Sequence, residues 1–389
     1  MRKASYIAAT VIGTAYSFAD TSLSTVLAGY LASLGFTNLQ LSFTLSLFSL
    51  ALIFTSFELG HLSDVIGRHK VIFLGLVSAI ASSLIYIFRP TLTTVPIAQI
   101  LAAIGFAAVV WVALAKVGDS ITERRGAATG ISQSIRRIGN VAAPVVAGLL
   151  ADRFFVAAPI ILNVIILAAL IPILYIESRG DGHSTIQNTN HSAGRRERLR
   201  WFLSNPKLRA LAIIGPTVNA VLPIITLILP LFILQKLGLS YVYVGYLISA
   251  WIVSKLFQWL LGHIADKIRW ERGIVIGTLI TGVGLIAMAF TESYWLIFIL
   301  ILIAGAGDAL WDISATTLLS HIGAKEGRTG EAIGTYFAFA KVGSFASFIA
   351  GGLVVTLFTP QLYFAIIGSL IITATAIGYK GLTAKEAHI

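Results

Sequence analysis

The sequence predicts an all-α membrane protein made of two related six-helix bundles, and three observations predict it. These are composition, a series of long apolar runs, and an internal repeat. Of 389 residues, 57% are hydrophobic and 12% charged, and the mean hydropathy is +0.88, far from the averages of soluble domains. Apolar runs of about 20 residues, enough to cross a hydrocarbon core roughly 30 Å thick, recur along the whole length. In such a medium each segment satisfies its own backbone amides, so long runs become helices. The ten-residue alternating strands of a membrane barrel are absent from the sequence.

Twelve runs are expected. In the first half they cover 5–34, 38–59, 71–88, 92–117, 126–150 and 155–176. In the second half they cover 206–235, 240–262, 273–291, 294–320, 330–358 and 361–379. The domains expected are a bundle over 1–176, a cytoplasmic linker over 177–205 and a bundle over 206–389. The linker holds Gly180-Asp181-Gly182 and the basic run Arg195–Arg200. A short amphipathic helix near Arg195–Leu203, resting on anionic lipid, is one expectation for it.

Charge fixes the expected topology. The net charge is +11, from 28 Lys and Arg against 17 Asp and Glu. Twenty of the basic residues fall at the termini, in the even-numbered loops or, as Lys207 and Arg209, at the very start of the seventh run, three (Arg89, Arg153, Lys236) in the other loops, and five deeper within runs. This asymmetry puts both termini in the cytoplasm, and it removes the reason to expect a nucleic-acid partner. Met1-Arg2-Lys3 opens into a run too long for a cleavable signal, so that run is expected to be the first span. The chain has no cysteine, which excludes disulfides and thiolate metal sites.

The repeat has two parts. Gly60-His61-Leu62-Ser63-Asp64 leads into Val65-Ile66-Gly67-Arg68-His69-Lys70, and Gly262-His263-Ile264-Ala265-Asp266 leads into Lys267 through Gly273. In the fifth and eleventh runs, Gly126, Gly130, Gly139 and Gly148 match Gly330, Gly334, Gly343 and Gly352, and Arg137 matches Lys341. Parallel halves of this kind are a transporter architecture.

On these residues the chain resembles the major facilitator superfamily over nearly its whole length. The family's G-x-L-a-D-r-x-G-r-k signature is met by Gly60, Leu62, Asp64, Gly67, Arg68 and Lys70. The second copy keeps Gly262, Asp266 and Arg272, with Arg269 where a glycine is expected. The resemblance implies a cytoplasmic gate built around Asp64; a plain loop cap is the other reading. The fifth run is similar to the family's antiporter motif at Gly130, Gly139, Pro144 and Gly148, with Ala143 and Ala147 in place of two glycines. The glycines there, with Gly334, Gly343 and Gly352 in the repeat, are expected to be helix-packing points. Leu101 stands where proton antiporters of the family often carry an arginine.

Ionisable residues inside apolar runs are costly and therefore candidates for function. Asp20 lies on a stripe with Gly13, Ser17 and Ser24. Asp308 and Asp312 lie on another with Gly305 and Thr316, beside Trp311. Pro216, Asn219, Pro223 and Pro230 suggest an interrupted helix. The facing cations are Arg136, Arg137 and Lys341, with Arg137 preferred over Arg136 because it shares a face with Gln133 and Asn140. Lys116 is expected to snorkel to the interface. The set Asp20, Arg136, Arg137, Asn219, Asp308, Trp311, Asp312 and Lys341 is the expected substrate and proton site.

The reading that follows is a monomeric, multi-pass plasma-membrane transporter of a small organic molecule, driven by protons through rocking of the two bundles. No cofactor beyond the proton gradient, no metal and no enzymatic activity are expected. The antiporter motif tips the expectation slightly toward export of amphipathic compounds. Proton-coupled uptake of an anionic metabolite is the alternative, and a metal exporter or a non-transporting sensor a further one.

Overall fold

The computed structural model describes residues 2–120, 125–178 and 195–384, excluding the side chains of 2–4, 56, 57, 60, 61, 64, 118–120, 125–129, 195 and 259. Among the described residues no strand occurs. The long helical stretches are α1 (Arg2–Ser33), α2 (Asn38–Ile66), α3 (Arg68–Phe88), α4 (94–120), α5 (Arg125–Arg153) and α6 (Ala158–Ser178). They continue as α7 (206–236), α8 (241–268), α9 (Trp270–Met288), α10 (Tyr294–Lys325), α11 (Thr329–Leu357) and α12 (Pro360–Leu382), with the short helix Arg195–Ser204 before α7. By length and composition, nine helices among the described residues can cross a membrane, or ten if the bent α8 is one span.

Local chemistry explains where several of these helices begin. Thr37 and Gln40 form a reciprocal capping box at α2, each side chain taking the other's backbone N–H. Asn205 accepts from Lys207 N and Leu208 N ahead of Pro206 at the start of α7, and Thr359 accepts from Leu362 N ahead of Pro360 in α12.

Three helices are irregular within their length. A π-helical turn, Ala107–Trp111, interrupts α4. In α7 the helix Pro206–Asn219 gives way to a turn at Ala220 and Val221 and then to π-helical segments Ile224–Ile228 and Phe232–Lys236. The proline spacing at 216, 223 and 230 explains this, because each ring removes a backbone donor and displaces the preceding turn. In α8 a 3₁₀ turn, Ser254–Phe257, sits where the axis bends by 62°.

The doubled motif differs from its expected loop form. Helix α2 runs through it to Ile66 and α3 starts at Arg68, so Gly67 alone breaks the chain. The second copy does the same, with α8 reaching Ile268, Arg269 as the break, and α9 starting at Trp270. Gly67 has φ 98° and ψ 142°, and Arg269 has φ 76° and ψ 137°. Two matching backbone kinks separated by 202 positions carry the sequence repeat into three dimensions.

The chain forms two compact units, Met1–Asn188 with Leu229–Ser249, and Thr189–Ile228 with Ala250–Ile389. Each is held by a glycine contact in the same register. In the first, a methyl group at Gly105 would lie 3.0 Å from Gly75 O, so α3 and α4 touch backbone to backbone. In the second, a methyl at Gly307 would lie 2.6 Å from Gly277 O, bringing α9 and α10 together. Small residues let membrane helices approach closely where water gives no apolar driving force between them. The core of the first unit gathers Ile12, Tyr16, Ile72, Leu76, Val109 and Leu167, all almost fully buried.

Candidate functional site

In the second unit the polar stripe of α10 packs in register on α8. A methyl at Gly305 would lie 2.5 Å from Trp251 O, Asp308 Oδ2 lies 2.8 Å from Lys255 Nζ, and Asp312 Oδ2 accepts from Gln258 Nε2 at 2.9 Å. Spacing of 3 and 4 on α10 meets spacing of 4 and 3 on α8, so each rung joins one turn to one turn. Thr316, the last member of the stripe, turns its hydroxyl back to Asp312 O at 2.6 Å. Lys255 sits in the 3₁₀ turn of α8, just before the bend between Phe257 and Leu260. Short departures from α-helix inside a long helix often mark hinges.

Tyr336 of α11 completes this cluster. Its phenol is buried, within hydrogen-bonding reach of Trp311 and Asn219 and under the field of Asp308 and Asp312. It packs on Gly215, where a methyl would lie 2.7 Å from its ring. Asn219 ends the first segment of α7, and its side-chain N–H donates to Gly215 O at 3.1 Å. Its own carbonyl, freed by the helix break, accepts from Ser344 Oγ at 2.9 Å. Lys341, five residues along α11 from Tyr336, feels the positive charge of Lys255 and forms no ion pair among the described residues. Sequence reasoning left Lys255 ambiguous, about two turns from the cytoplasmic end of its run, and missed Gln258 and Tyr336. The signal for Lys255 and Gln258 was their place 4 and 7 residues after Trp251, on one helix face; Tyr336 carried none.

In the first unit Asp20 is partly buried, its charge acts on the buried phenols of Tyr16 and Tyr86, and it has no hydrogen-bond partner among the described residues. Arg136 Nε donates to Gln133 Oε1 at 2.8 Å and lines a narrow cleft with Thr10, Gly13 and Ser132. Thr10 donates to Ser132 Oγ at 3.1 Å in the same cleft. Gln133, which the sequence reading grouped with Arg137, thus engages Arg136, while Arg137 is half-buried one position on.

The gate residues divide. The side chains of Gly60 and Asp64 lie outside the described residues. Gly67 supplies the positive φ, and Arg68 opens α3. In the second copy, Asp266 accepts from Trp270 Nε1 at 2.8 Å within its own connector, and Gly262 makes an ordinary contact with Ile313. Arg272 lines a groove between α9 and α12.

The glycines expected to pack helices also divide. A methyl at Gly148 would lie 2.5 Å from Tyr241 O, and one at Gly343 would overlap the backbone of Pro216. Gly139 makes ordinary contact with Thr14 at 3.4 Å. Pro144 brings its carbonyl against Gly245. Gly352 is buried and Gly334 half-buried. Gly130 is exposed with open space around it, so it packs nothing and its place in the motif is corrected.

Two further expectations are overturned. Lys116 does not snorkel: it is 4% exposed and forms an ion pair with Glu177, whose other oxygen lies 2.9 Å from His69 Nε2. Ser5 Oγ donates to Glu177 at 2.7 Å. Glu177 lies at the end of α6, where the sequence reading drew the linker, so its partners on α1, α3 and α4 were out of view. The short helix Arg195–Ser204 rests on protein as well, since Phe202 is fully buried and stacks on Phe339, and Arg328 lies over the Trp201 ring at 5.4 Å. Among the described residues, no three His, Asp or Glu side chains converge as metal ligands would.

Comparison with known proteins agrees with this architecture. A sequence profile of the Major Facilitator Superfamily matches residues 9–277 and 253–388. An uncharacterized MFS-type transporter of Methanocaldococcus jannaschii is 25% identical over 339 residues, covering 85% of this chain and 86% of its own. Among solved structures, the nucleoside transporter NupG superposes with a TM-score of 0.81 at 13% identity, over 98% of this chain and 100% of its own. A POT family transporter in complex with 5-aminolevulinic acid gives 0.81 at 13% identity, over 96% and 94%.

Proposed function

The chain belongs to the major facilitator superfamily, and from that premise we propose that it is a proton-coupled secondary transporter of a small organic molecule bearing an anionic group. Membership makes it a transporter and not an enzyme. The observation that carries the substrate class is Lys341. It is half-buried near the middle of α11, beside a second ammonium at Lys255, with no carboxylate of its own among the described residues. A cation held in a membrane span without a counter-ion is costly, and an anionic solute supplies that counter-ion. Trp311, Tyr336 and Asn219 add an aromatic wall and polar contacts at the same level. A transporter of this fold has been captured with 5-aminolevulinic acid, a carboxylate-bearing solute.

Asp20 is the proposed proton carrier. A lone carboxylate in an apolar span is relieved by taking up a proton, and among the described residues Asp20 has no basic partner to hold it charged. The pair Lys255–Asp308 and the couple Gln258–Asp312 then change with substrate occupancy. Alternating access carries both from one side to the other.

The proposed topology has twelve spans in two sets of six, with both termini in the cytoplasm and the linker between them beginning after Ser178, where α6 ends. Nine helices and the bent α8 meet the length and composition of a span. The other two are α1, 32 residues long, and α5, 29 residues long, each over 40 Å at roughly 1.5 Å per residue. Their lower hydropathy reflects the polar residues that mark them as functional, Asp20 in α1 and Arg136 and Arg137 in α5. The plasma membrane and a monomer complete the proposal.

Export of amphipathic compounds is the second reading, supported by the contacts of Gly148 and Pro144 with α8 at positions resembling the antiporter motif. The two readings are tested with purified protein in liposomes under an imposed pH gradient. Accumulation of an organic anion together with protons, lost in Lys341→Met, supports the first. Expulsion of lipophilic dyes against proton entry, unaffected by Lys341→Met, sinks it in favour of the second.

A further inference from the structure

We propose that the second copy of the doubled motif forms a binding site for the headgroup of an anionic phospholipid, in the groove between α9 and α12 of the second unit. The groove holds about 330 Å³ and is lined by Arg269, Glu271, Arg272, Ile276, Tyr379 and Thr383. That volume is within the range of small-ligand sites.

Charge is the first argument. Glu271 accepts from Lys207 Nζ at 2.9 Å, and both side chains are close to buried, so this carboxylate is already neutralised. Arg269 approaches Glu271 only at 3.8 Å and its side chain is 73% exposed. Arg272 is exposed, and its side chain has no ion-pair or hydrogen-bond partner among the described residues. Two guanidinium groups therefore face the groove with little to cancel them, and guanidinium is the side chain best matched to a phosphate group.

Backbone conformation is the second. Arg269 is the only described residue other than glycine with positive φ. The matching position in the first copy is Gly67, which adopts nearly the same φ without strain. An arginine kept in a glycine conformation is held there at a cost, and observed strain of this kind points to function. Here the gain is the guanidinium itself.

Apolar surface below the groove decides the ligand. Ile276, Leu279 and Val283 are exposed along α9 at spacings of 3 and 4, and Tyr379 and Ile377 are exposed on α12. This stripe begins at the arginines and runs toward the middle of the span, as an acyl chain below its headgroup does. Tyr379 stands at the level where aromatic rings meet headgroups. A free phosphate uses the arginines and leaves the stripe unexplained. The positive-inside reading turns this end to the cytoplasm, whose leaflet carries the anionic lipids.

The test is native mass spectrometry and thermal unfolding of the full-length protein in detergent, with phosphatidylglycerol, phosphatidylcholine or inorganic phosphate added. The variants are Arg269→Gly, Arg272→Gln, their combination, and Arg196→Gln/Arg198→Gln/Arg200→Gln as a control on the other basic surface. Arg269→Gly suits the local φ, so its melting temperature without lipid should equal or exceed that of the parent. We expect retained phosphatidylglycerol to fall at least fivefold in the double variant and to be unchanged in the control, with phosphatidylcholine indifferent throughout. Equal retention in all proteins overturns the site, as does loss confined to the control. Stabilisation by inorganic phosphate equal to that by phosphatidylglycerol overturns the lipid and leaves a soluble-anion site.

Discussion

Lys255 Nζ lies 2.8 Å from Asp308 Oδ2 just before the bend of α8. The carboxylate is 11% exposed and the lysine side chain 28%. Neither group is easily solvated alone at that depth, so the pair holds the bent segment of α8 to α10. Under the proposed function, a substrate or proton that drew Asp308 away from Lys255 would release the bend. Chemistry and motion are thus joined at one contact.

That pair makes the first prediction. Removing one partner leaves the other charge buried, which costs about 3–5 kcal/mol in well-buried pairs. Lys255 is partly exposed, so the lower end of that range is expected. Lys255→Met and Asp308→Asn should each lower the melting temperature in detergent more than the double variant Lys255→Met/Asp308→Asn does. Additive losses would mean that the two side chains stabilise the protein independently. Transport should be lost in all three, since restoring stability does not restore the switch.

The second prediction concerns Asp20. If this carboxylate carries the proton, Asp20→Asn fixes it in a neutral form. Uphill accumulation driven by a pH gradient should disappear, while exchange of labelled for unlabelled substrate continues. The pH dependence of exchange should also flatten, because the group that titrates has been removed. Gradient-driven accumulation by Asp20→Asn protein at the parental level would falsify the assignment.

Much of this was legible in the sequence, for identifiable reasons. Apolar run length fixed the helices, and Pro216, Pro223 and Pro230 announced the broken α7. What stayed hidden depended on partners distant in sequence. Asp308 was marked as costly, yet its partner Lys255 is 53 residues away (308 − 255), and no spacing rule joins them. Lys116 looked like a snorkelling end residue because Glu177 and His69 lie on other helices. Arg269 looked like decay of a motif, whereas its backbone keeps the glycine geometry. Gly130 was the opposite error: a motif position with nothing packed on it.

The third prediction separates structural from idle glycines. A methyl at Gly307 would lie 2.6 Å from Gly277 O and 2.8 Å from Thr281 N, both backbone atoms that cannot step aside cheaply. Overpacking of this kind typically costs about 1–3 kcal/mol, occasionally more. Gly307→Ala should therefore unfold several degrees lower than the parent or fail to accumulate in the membrane. Gly130→Ala meets nothing within 4 Å and replaces glycine with a better helix former, worth about 0.8–1 kcal/mol in favour of the variant. Its melting temperature should be equal or higher. Thermal unfolding of the two proteins side by side decides the matter, and a reversed order would reject the packing argument.

The fourth prediction rests on Asp152. Its two carboxylate oxygens accept from Tyr241 N and Val242 N, each at 2.9 Å, at the start of α8. The first amides of a helix have no partner within it, and a carboxylate there is favoured by both hydrogen bonding and the helix dipole. Asp152 thus acts as an N-cap borrowed from the end of α5, and the absent side chain of Gly148 lets Tyr241 come close enough. Loss of such a cap costs about 1 kcal/mol, which corresponds to roughly a fivefold shift in the closed-to-open ratio of this contact. The chain has no cysteine, so a single Ser240→Cys reporter can be labelled without background. Adding Asp152→Ala should raise the labelling rate of that reporter about fivefold, and Asp152→Asn, with one acceptor oxygen in place of two, should fall between. Were labelling unchanged in both, the two hydrogen bonds would have no part in holding α5 to α8, and the opening of this end would have to be governed by the glycine contacts alone.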